Sequence, residues 1–271
     1  MGVVAVGGTG GLGKTVVEQL RLHGSHHTCY LLGRKTDAGS EAQLSLIAAA
    51  GKSRVTRRII PSEFVSVIDE DDSTSGPGIG GWVYNAQALK KTQLEYIRIS
   101  IGFFSDYWGL PHIESDLRPF HWFLDVEKGL AAIPGTGDEK FTATYSKDLA
   151  LVIVKLLEVE ERWPGRVCLS GSDISLNELV AHAEQIRGSK INVVYDPVKR
   201  LERDVTLLWH PDEITEDQFK LLFVGLCQMI LTGACLLPKD NHWLATKFPD
   251  LHLTTAQEIL DRAWKGRKFA T

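Results

Sequence analysis

"VVAVGGTGGLGKTVVEQL" (residues 3–20) packs an apolar run, a knot of glycines and a helical stretch into one short piece of chain. Val3 to Val6 have the β-branched composition of a strand buried on both faces of a parallel sheet. Gly7, Gly10 and Gly13 then follow at G-x-x-G-x-x-G spacing, and "KTVVEQLRLHG" continues as a helix with Gly24 just past its end. Each glycine has a physical purpose in such a turn. Gly7 permits the tight bend, Gly10 lets the backbone approach a pyrophosphate, and Gly13 lets helix and strand pack closely. The anion sits on free N–H groups at the positive end of the helix dipole. A strand before the glycines and a helix after them is the context a dinucleotide site requires. Gly7, Thr9, Gly10, Gly11, Leu12 and Gly13 are therefore the expected cofactor contacts, in a dinucleotide turn rather than a P-loop.

The second strand, "TCYLLGRK" (28–35), decides which dinucleotide. An acidic residue closing that strand would accept hydrogen bonds from the adenine ribose of NAD. Here Gly33 is followed by Arg34 and Lys35, two cations where a 2′-phosphate would lie, which favours NADP(H). Asp37 nearby keeps the NAD alternative open.

Further along, "EAQLSLIAAAG" (41–51) spaces its apolar residues as a helix and ends in glycine. Residues 69–81 are acidic, then rich in Ser, Gly and Pro, as in an exposed loop. The acidic quartet Asp69 to Asp72 is a solvated charge run, because consecutive carboxylates do not converge as metal ligands do. "SLNELVAHAEQIRG" (175–188) carries a Ser175 cap, helical spacing and a closing glycine. Further helices are expected near 215–235 and 254–264, with a small edge strand at "INVVYD" (191–196).

Composition removes several function classes. The 271 residues are 44% apolar and 24% charged, ordinary for a globular protein able to bury a full core. A net charge of −4 gives no reason to expect nucleic acid as a ligand. "FKLLFVGLCQMILTGACLL" (219–237) is the longest apolar stretch; Lys220, Gln228 and two glycines make it a buried helix pair rather than a membrane span. Cys29, Cys168, Cys227 and Cys235 lie far apart and read as buried thiols in a reducing compartment. Strand-like sequence from Val3 leaves no room for a signal peptide, so a cytoplasmic location is expected. The nine histidines have no metal-ligand spacing, and no metal site is expected. His121, in "RPFHWFL", has an aromatic setting that suits a pocket wall but suits a core histidine better.

Five stretches recur in a recognisable order: "GGTGGLG", "RRIIPSEF" (57–64), "LEYIRISIGFFSDYWGLP" (94–111), "FTATYSKDLALVIVKLLE" (141–158) and "GSDISLNELVAHAEQIRG" (171–188). Together they resemble the fungal NmrA-like proteins of the isoflavone reductase subfamily, atypical short-chain dehydrogenases. The resemblance implies a Rossmann domain binding NADP(H) and a smaller C-terminal portion over a substrate cleft. Its members reduce small aromatic or polyketide-like metabolites, or bind the nucleotide as redox-sensing regulators. Set against that family, this chain is short. Residues 37–40 cannot hold two strands and a crossover, so the family's third and fourth strands are missing.

The catalytic residues are also unusual. Neither Tyr84 nor Tyr145 opens a Tyr-x-x-x-Lys dyad, since Tyr84 leads to Ala88 and Tyr145 to Leu149. The resemblance implies instead one lysine on the helix corresponding to "VYNAQALKK", and the natural alignment puts Gln87 there. Lys90 and Lys91 lie within one turn, with Lys90 on about the same face as Gln87. Lys90 is thus the catalytic candidate after a register shift, against the plainer reading of two surface lysines. Ser62 and Glu63 follow a strand end, where α/β sheets place ligand contacts. Asp106 and Tyr107 in "FFSDYW" belong to a pocket wall or a buried aromatic cluster, and Ser146 suits the N-cap of the helix after it.

The expected architecture is α/β: a shortened Rossmann-type doubly wound parallel sheet over 1–170, and a smaller, mostly helical portion over 171–271 joined by residues of 103–135. The expected function is an NADP(H)-dependent oxidoreductase acting on a small carbonyl or enone metabolite. The alternative is a nucleotide-binding regulator or decayed paralogue without catalysis.

Overall fold

The computed structural model describes residues 3–7, 10–24, 28–32, 39–68, 80–239 and 242–269. Its first unit is the expected strand, turn and helix. Strand β1 (Val3–Gly7) leads into α1 (Leu12–His23), and β2 (Thr28–Leu32) returns parallel to β1, with Val3 opposite Thr28 and Gly7 opposite Leu32. Helix α2 (Gly39–Lys52), strand β3 (Arg58–Ile59) and α3 (Gly80–Lys90) follow, and α2 packs against α3.

Residues 95–100 form the middle of the remaining parallel sheet. Strand β4 (Glu95–Tyr96) pairs with β3, and β5 (Arg98–Ser100) pairs with a strand from later in the chain. Ile97, fully buried between them, donates its N–H to Ile59, while the Arg98 N–H goes to Gly165. Among the described residues no ladder joins β1 to β3.

Strand β6 (Phe103–Phe104), β7 (Leu124–Asp125), β8 (Leu130–Pro134) and β9 (Lys140–Thr144) carry the chain into a second layer, and α4 (Ser146–Leu157) returns to pack on α1. Strand β10 (Arg166–Cys168) is the partner of β5, and β11 (Ser172–Ser175) runs antiparallel to β9. Gly102 makes the joint possible. It has φ +68, and a Cβ there would stand 2.1 Å from the Thr142 carbonyl oxygen, so only glycine lets β6 lie parallel on β9.

Helix α5 (Leu176–Arg187) occupies the expected residues, closed by Gly188 in the left-handed region. Strand β12 (Asn192–Asp196) is the expected edge strand, parallel to β8. Helices α6 (Glu216–Leu231), α7 (His242–Lys247) and α8 (Ala256–Trp264) complete the chain. The apolar stretch 219–237 is one helix and a turn, not the expected pair, because the chain reverses at Gly233 with φ +75 and Cys235 tucks back onto Met229. No described helix is long and apolar enough to cross a membrane.

Two apolar cores result. One joins Val16 and Leu20 of α1 to Ile97, Ile99 and the inner face of α4, with Leu244 of α7 packed on it. The other joins Phe123, Phe141, Leu179, Phe223 and Trp264 across the second layer. Cys168, Cys227 and Cys235 are buried free thiols, and burial pushes Cys227 up to about 12 and Cys235 up to about 11. Cys227 and Cys235 are therefore inert at neutral pH.

Candidate functional site

The first turn of α1 is built to be approached. Gly7 ends β1, and the chain reaches α1 through Gly10 and Gly11. Gly11 has φ 51 and ψ −135, a conformation that a residue with a Cβ resists. Among the described residues no side chain caps the helix, and the first internal bonds run from Lys14 and Thr15 to the Gly11 carbonyl. The N–H groups ahead of them have no partner among the described residues. Nothing described lies within 4 Å of where a Cβ on Gly10 would stand. An uncapped helix end under open space is the donor set a pyrophosphate needs, so the residues present fit a dinucleotide. Thr9, Arg34 and Lys35 lie outside the described residues, as does the acidic quartet at 69–72.

Spacing alone does not separate this turn from a P-loop, because Gly8, Gly13, Lys14 and Thr15 also satisfy G-x-x-x-x-G-K-[ST]. Side-chain geometry separates them. A P-loop lysine reaches the phosphates, whereas Lys14 Nζ donates to Asp116 Oδ1 at 2.5 Å and Thr15 Oγ1 to Asp116 Oδ2 at 3.0 Å. Both side chains are engaged by a carboxylate from the segment after β6. That segment also brings Leu117 to 3.8 Å from the Cβ position of Gly11. Asp116 and Leu117 thus border the turn, and no spacing in the sequence announces them.

The candidates for proton transfer are scattered. Gln87, Lys90 and Lys91 are exposed at the C-terminal end of α3 or just beyond it. Tyr84 is exposed as well. Tyr145 donates its hydroxyl to the Glu114 carbonyl, and burial together with Asp106 and nearby carboxylates raises its pKa. Burial and Asp106 push Tyr107 up to about 12. Neither phenol is poised to ionise near neutrality.

Asp106 is a structural group. Its carboxylate accepts bonds from Ser115 Oγ at 2.6 Å, from the Ser146 N–H at 2.9 Å and from the Ser146 hydroxyl. It caps α4 from a distance, where Ser146 itself was expected to do so; the N-cap position is Tyr145. Burial raises the Asp106 pKa against these bonds. In the "PSEF" turn, exposed Ser62 donates its N–H to Gln43 Oε1 at 2.8 Å. Glu63 accepts from Arg98 Nε at 2.6 Å. Its other oxygen is buried without a partner, and burial raises its pKa despite Arg98 and Arg166. Phe64 next to it has φ 33, a strained value for a bulky residue.

Beyond the turn lies an aromatic region. Phe120 stacks on Trp122 at 5.2 Å and meets Trp209 edge-on at 4.9 Å. Tyr107 touches both Phe120 and Trp122, and Phe219 and Phe223 of α6 close the far side. Two shallow depressions lie here, each with room for about one water, and His121 lines both.

No family model matches the chain. It is 25% identical to "Oxidoreductase swnN" of Metarhizium robertsii over 336 aligned positions, covering 97% of this chain and 98% of that protein. Those positions outnumber the 271 residues here, so the relative carries segments with no counterpart in this chain. Among solved structures, a leucoanthocyanidin reductase–NADPH complex from Vitis vinifera superposes with a TM-score of 0.70 at 15% identity, over 97% of this chain and 99% of that one. An isoflavone reductase gives 0.68 at 14% identity, over 96% and 98%. These two likenesses are of fold. With the sequence relative and the motif order, they show a chain of Rossmann-type α/β fold that is similar to the isoflavone reductase-like oxidoreductases.

Proposed function

We propose that this chain binds NADP(H) on the turn at Gly10–Gly13 and acts as an oxidoreductase on a small carbonyl or enone metabolite. The observation that carries the reading is the start of α1, which among the described residues has no side-chain cap and nothing within 4 Å of a Cβ on Gly10. The name of the fungal relative and the NADPH complex of the Vitis vinifera reductase support it. When bound, the nicotinamide supplies the hydride. The chain's own part is to hold the pyrophosphate on the N–H groups of the turn, and the 2′-phosphate on Arg34 and Lys35. Lys90 is the proposed proton donor, through a shifted register of α3. The partner is a small molecule rather than nucleic acid or membrane, and the proposed location is cytoplasmic.

A second reading, a nucleotide-binding regulator without turnover, is favoured by Gln87 at the position where the resemblance puts lysine. Glutamine neither gives nor takes a proton, and a positioned donor is worth ~10²–10⁴-fold in rate. Titration calorimetry with NADPH and NADH tests the binding. NADPH consumption with a panel of aromatic enones and polyketide-like ketones then separates the two readings. Turnover that Lys90→Ala removes supports the enzyme; NADPH binding with no turnover supports the regulator; no binding of either nucleotide ends both.

A further inference from the structure

A carboxylate borders the turn on which the proposed function puts a pyrophosphate. Asp116 Oδ2 accepts the Thr15 hydroxyl at 3.0 Å, and that hydroxyl also lies 3.4 Å from the Gly11 carbonyl oxygen. One side chain therefore separates the carboxylate from the residue that opens α1. Leu117 beside it reaches to 3.8 Å from the Cβ position of Gly11. A carboxylate at the rim of an anion site opposes the anion unless a cation offsets it. Lys14 is that cation: its ammonium stands 2.5 Å from Asp116 Oδ1 and 3.7 Å from Glu18 Oε1.

The two partners differ in freedom. The Asp116 side chain is 12% exposed, and Thr15, its second partner, is fully buried. The residues before and after it are tied down as well. The Ser115 hydroxyl donates to Asp106 Oδ1 at 2.6 Å, and the Leu117 N–H donates to Ser115 Oγ at 3.2 Å. The Glu114 carbonyl accepts from the Tyr145 hydroxyl, and the Glu114 carboxylate accepts from Lys147. Residues 114–116 are thus fastened to the starts of α4 and α1. The Lys14 side chain, by contrast, is 56% exposed and has a flexible four-carbon stem that can turn without disturbing a packed group. It belongs to the first turn of α1, the end that the phosphates would approach.

We propose that Asp116 restrains nucleotide affinity: in the empty chain it holds Lys14 to itself, and a bound phosphate has to compete for that ammonium. The proposal rests on the nucleotide reading and gives a residue outside the glycine turn a share in setting its affinity. The ligand class is a phosphate-bearing dinucleotide. An Asp116 that only fastened its segment to α1 would cost binding or stability when changed. The restraint gives the opposite sign for a change that removes the charge and keeps the shape.

Calorimetry of the full chain with NADPH reads that sign. Asp116→Asn keeps an acceptor for Thr15 and should bind NADPH about three- to thirtyfold more tightly than the native protein, the range for one charge close to a phosphate. Lys14→Gln, an exposed change that leaves the fold alone, should weaken binding by a similar factor, because Asp116 then has lost its counter-charge. In the double variant the gain should vanish, since the ammonium that carries it is gone. Raising salt from ~0.05 M to ~0.5 M should shrink the gain, as a packing effect would not. The Lys14 Cε–Hε NMR signal, assigned by its loss in Lys14→Gln, should move as NADPH saturates the native protein. Circular dichroism shows that each variant is folded.

The proposal is overturned if folded Asp116→Asn binds NADPH no more tightly than the native chain, if the double variant keeps the gain, or if the Lys14 signal is unmoved at saturation. Inorganic pyrophosphate, as a second probe, keeps the two claims apart. Native protein that binds NADPH while Asp116→Asn shows no gain overturns the restraint alone. Pyrophosphate held more tightly by Asp116→Asn, with NADPH bound by neither protein, sustains the restraint and overturns the dinucleotide reading. Binding of neither probe to either protein overturns both.

Discussion

Helices α5 and α1 begin in opposite ways. At α5, Ser175 accepts the N–H of Glu178 at 3.2 Å, and the Glu178 carboxylate accepts the N–H of Ser175 at 2.8 Å. The same reciprocal box starts α6 at Thr215 with Gln218, and α8 at Thr255 with Glu258. At α4 the first N–H is met by Asp106 from another part of the chain. Every helix leaves its first four N–H groups without internal partners, and these four helices supply partners of their own. Helix α1 starts from Gly11 without a side-chain cap. The contrast teaches where a ligand belongs: donors left unmet next to open space are donors reserved for something else.

The largest expected effect breaks the open end. Gly10→Val should lower NADPH affinity by ~10²–10⁴-fold, the equivalent of two charge-assisted hydrogen bonds, because the side chain stands where the pyrophosphate would. Since nothing described lies within 4 Å of that Cβ, far-ultraviolet circular dichroism should be unchanged. Retained affinity would make the turn a mere corner. Next in size is the double change Arg34→Ala with Lys35→Ala, which should remove the preference for NADPH over NADH. Each charge-assisted contact to the 2′-phosphate is worth about 1.5–3 kcal/mol, read by calorimetry with both nucleotides.

The capped helices should respond in the opposite sense. Thr255→Ala should lower stability by about 1 kcal/mol in chemical denaturation and leave NADPH affinity unchanged. A loss of nucleotide affinity there would show that the two kinds of helix start are not independent.

How far these features were legible depends on how local they are. Helix α5 could be bounded from sequence because Ser175 and Gly188 sit at its ends and act through neighbouring backbone. The end of α6 was misplaced: its apolar residues run past Leu231, and hydrophobicity carries no mark of the turn at Gly233. The capping role of Asp106 was hidden behind the choice between a pocket wall and a buried aromatic cluster, because its partners, Ser115 and Ser146, are remote in sequence or unmarked by any motif. The border of the glycine turn at Asp116 and Leu117 was illegible for the same reason. The aromatic region draws on Phe120, Trp209 and Phe219, which come together only when β7, α6 and the intervening loop pack. Periodicity and caps report neighbours along the chain, whereas these sites are made by neighbours across it.

The smallest expected effect concerns Glu63. Burial holds its folded pKa above the ordinary carboxyl value, so the folded state binds its proton more tightly than the unfolded chain does. The stability this contributes is present in full below the unfolded pKa and is lost as pH rises through the folded one. The advantage of the native chain over Glu63→Gln should therefore shrink as pH is raised from the carboxyl range towards neutrality. Denaturation curves of both proteins at several pH values check the sign, and an advantage that grows with pH would mean that Arg98 outweighs burial.

The most direct test follows the backbone amides of the helix starts by NMR while NADPH is added. The N–H signals of Gly10, Gly11, Leu12 and Gly13 should shift most and saturate together, while those at Glu178 and Glu258, already bonded within capping boxes, stay in place. Saturable NADPH binding that leaves the Gly10–Gly13 amides unmoved would contradict the account.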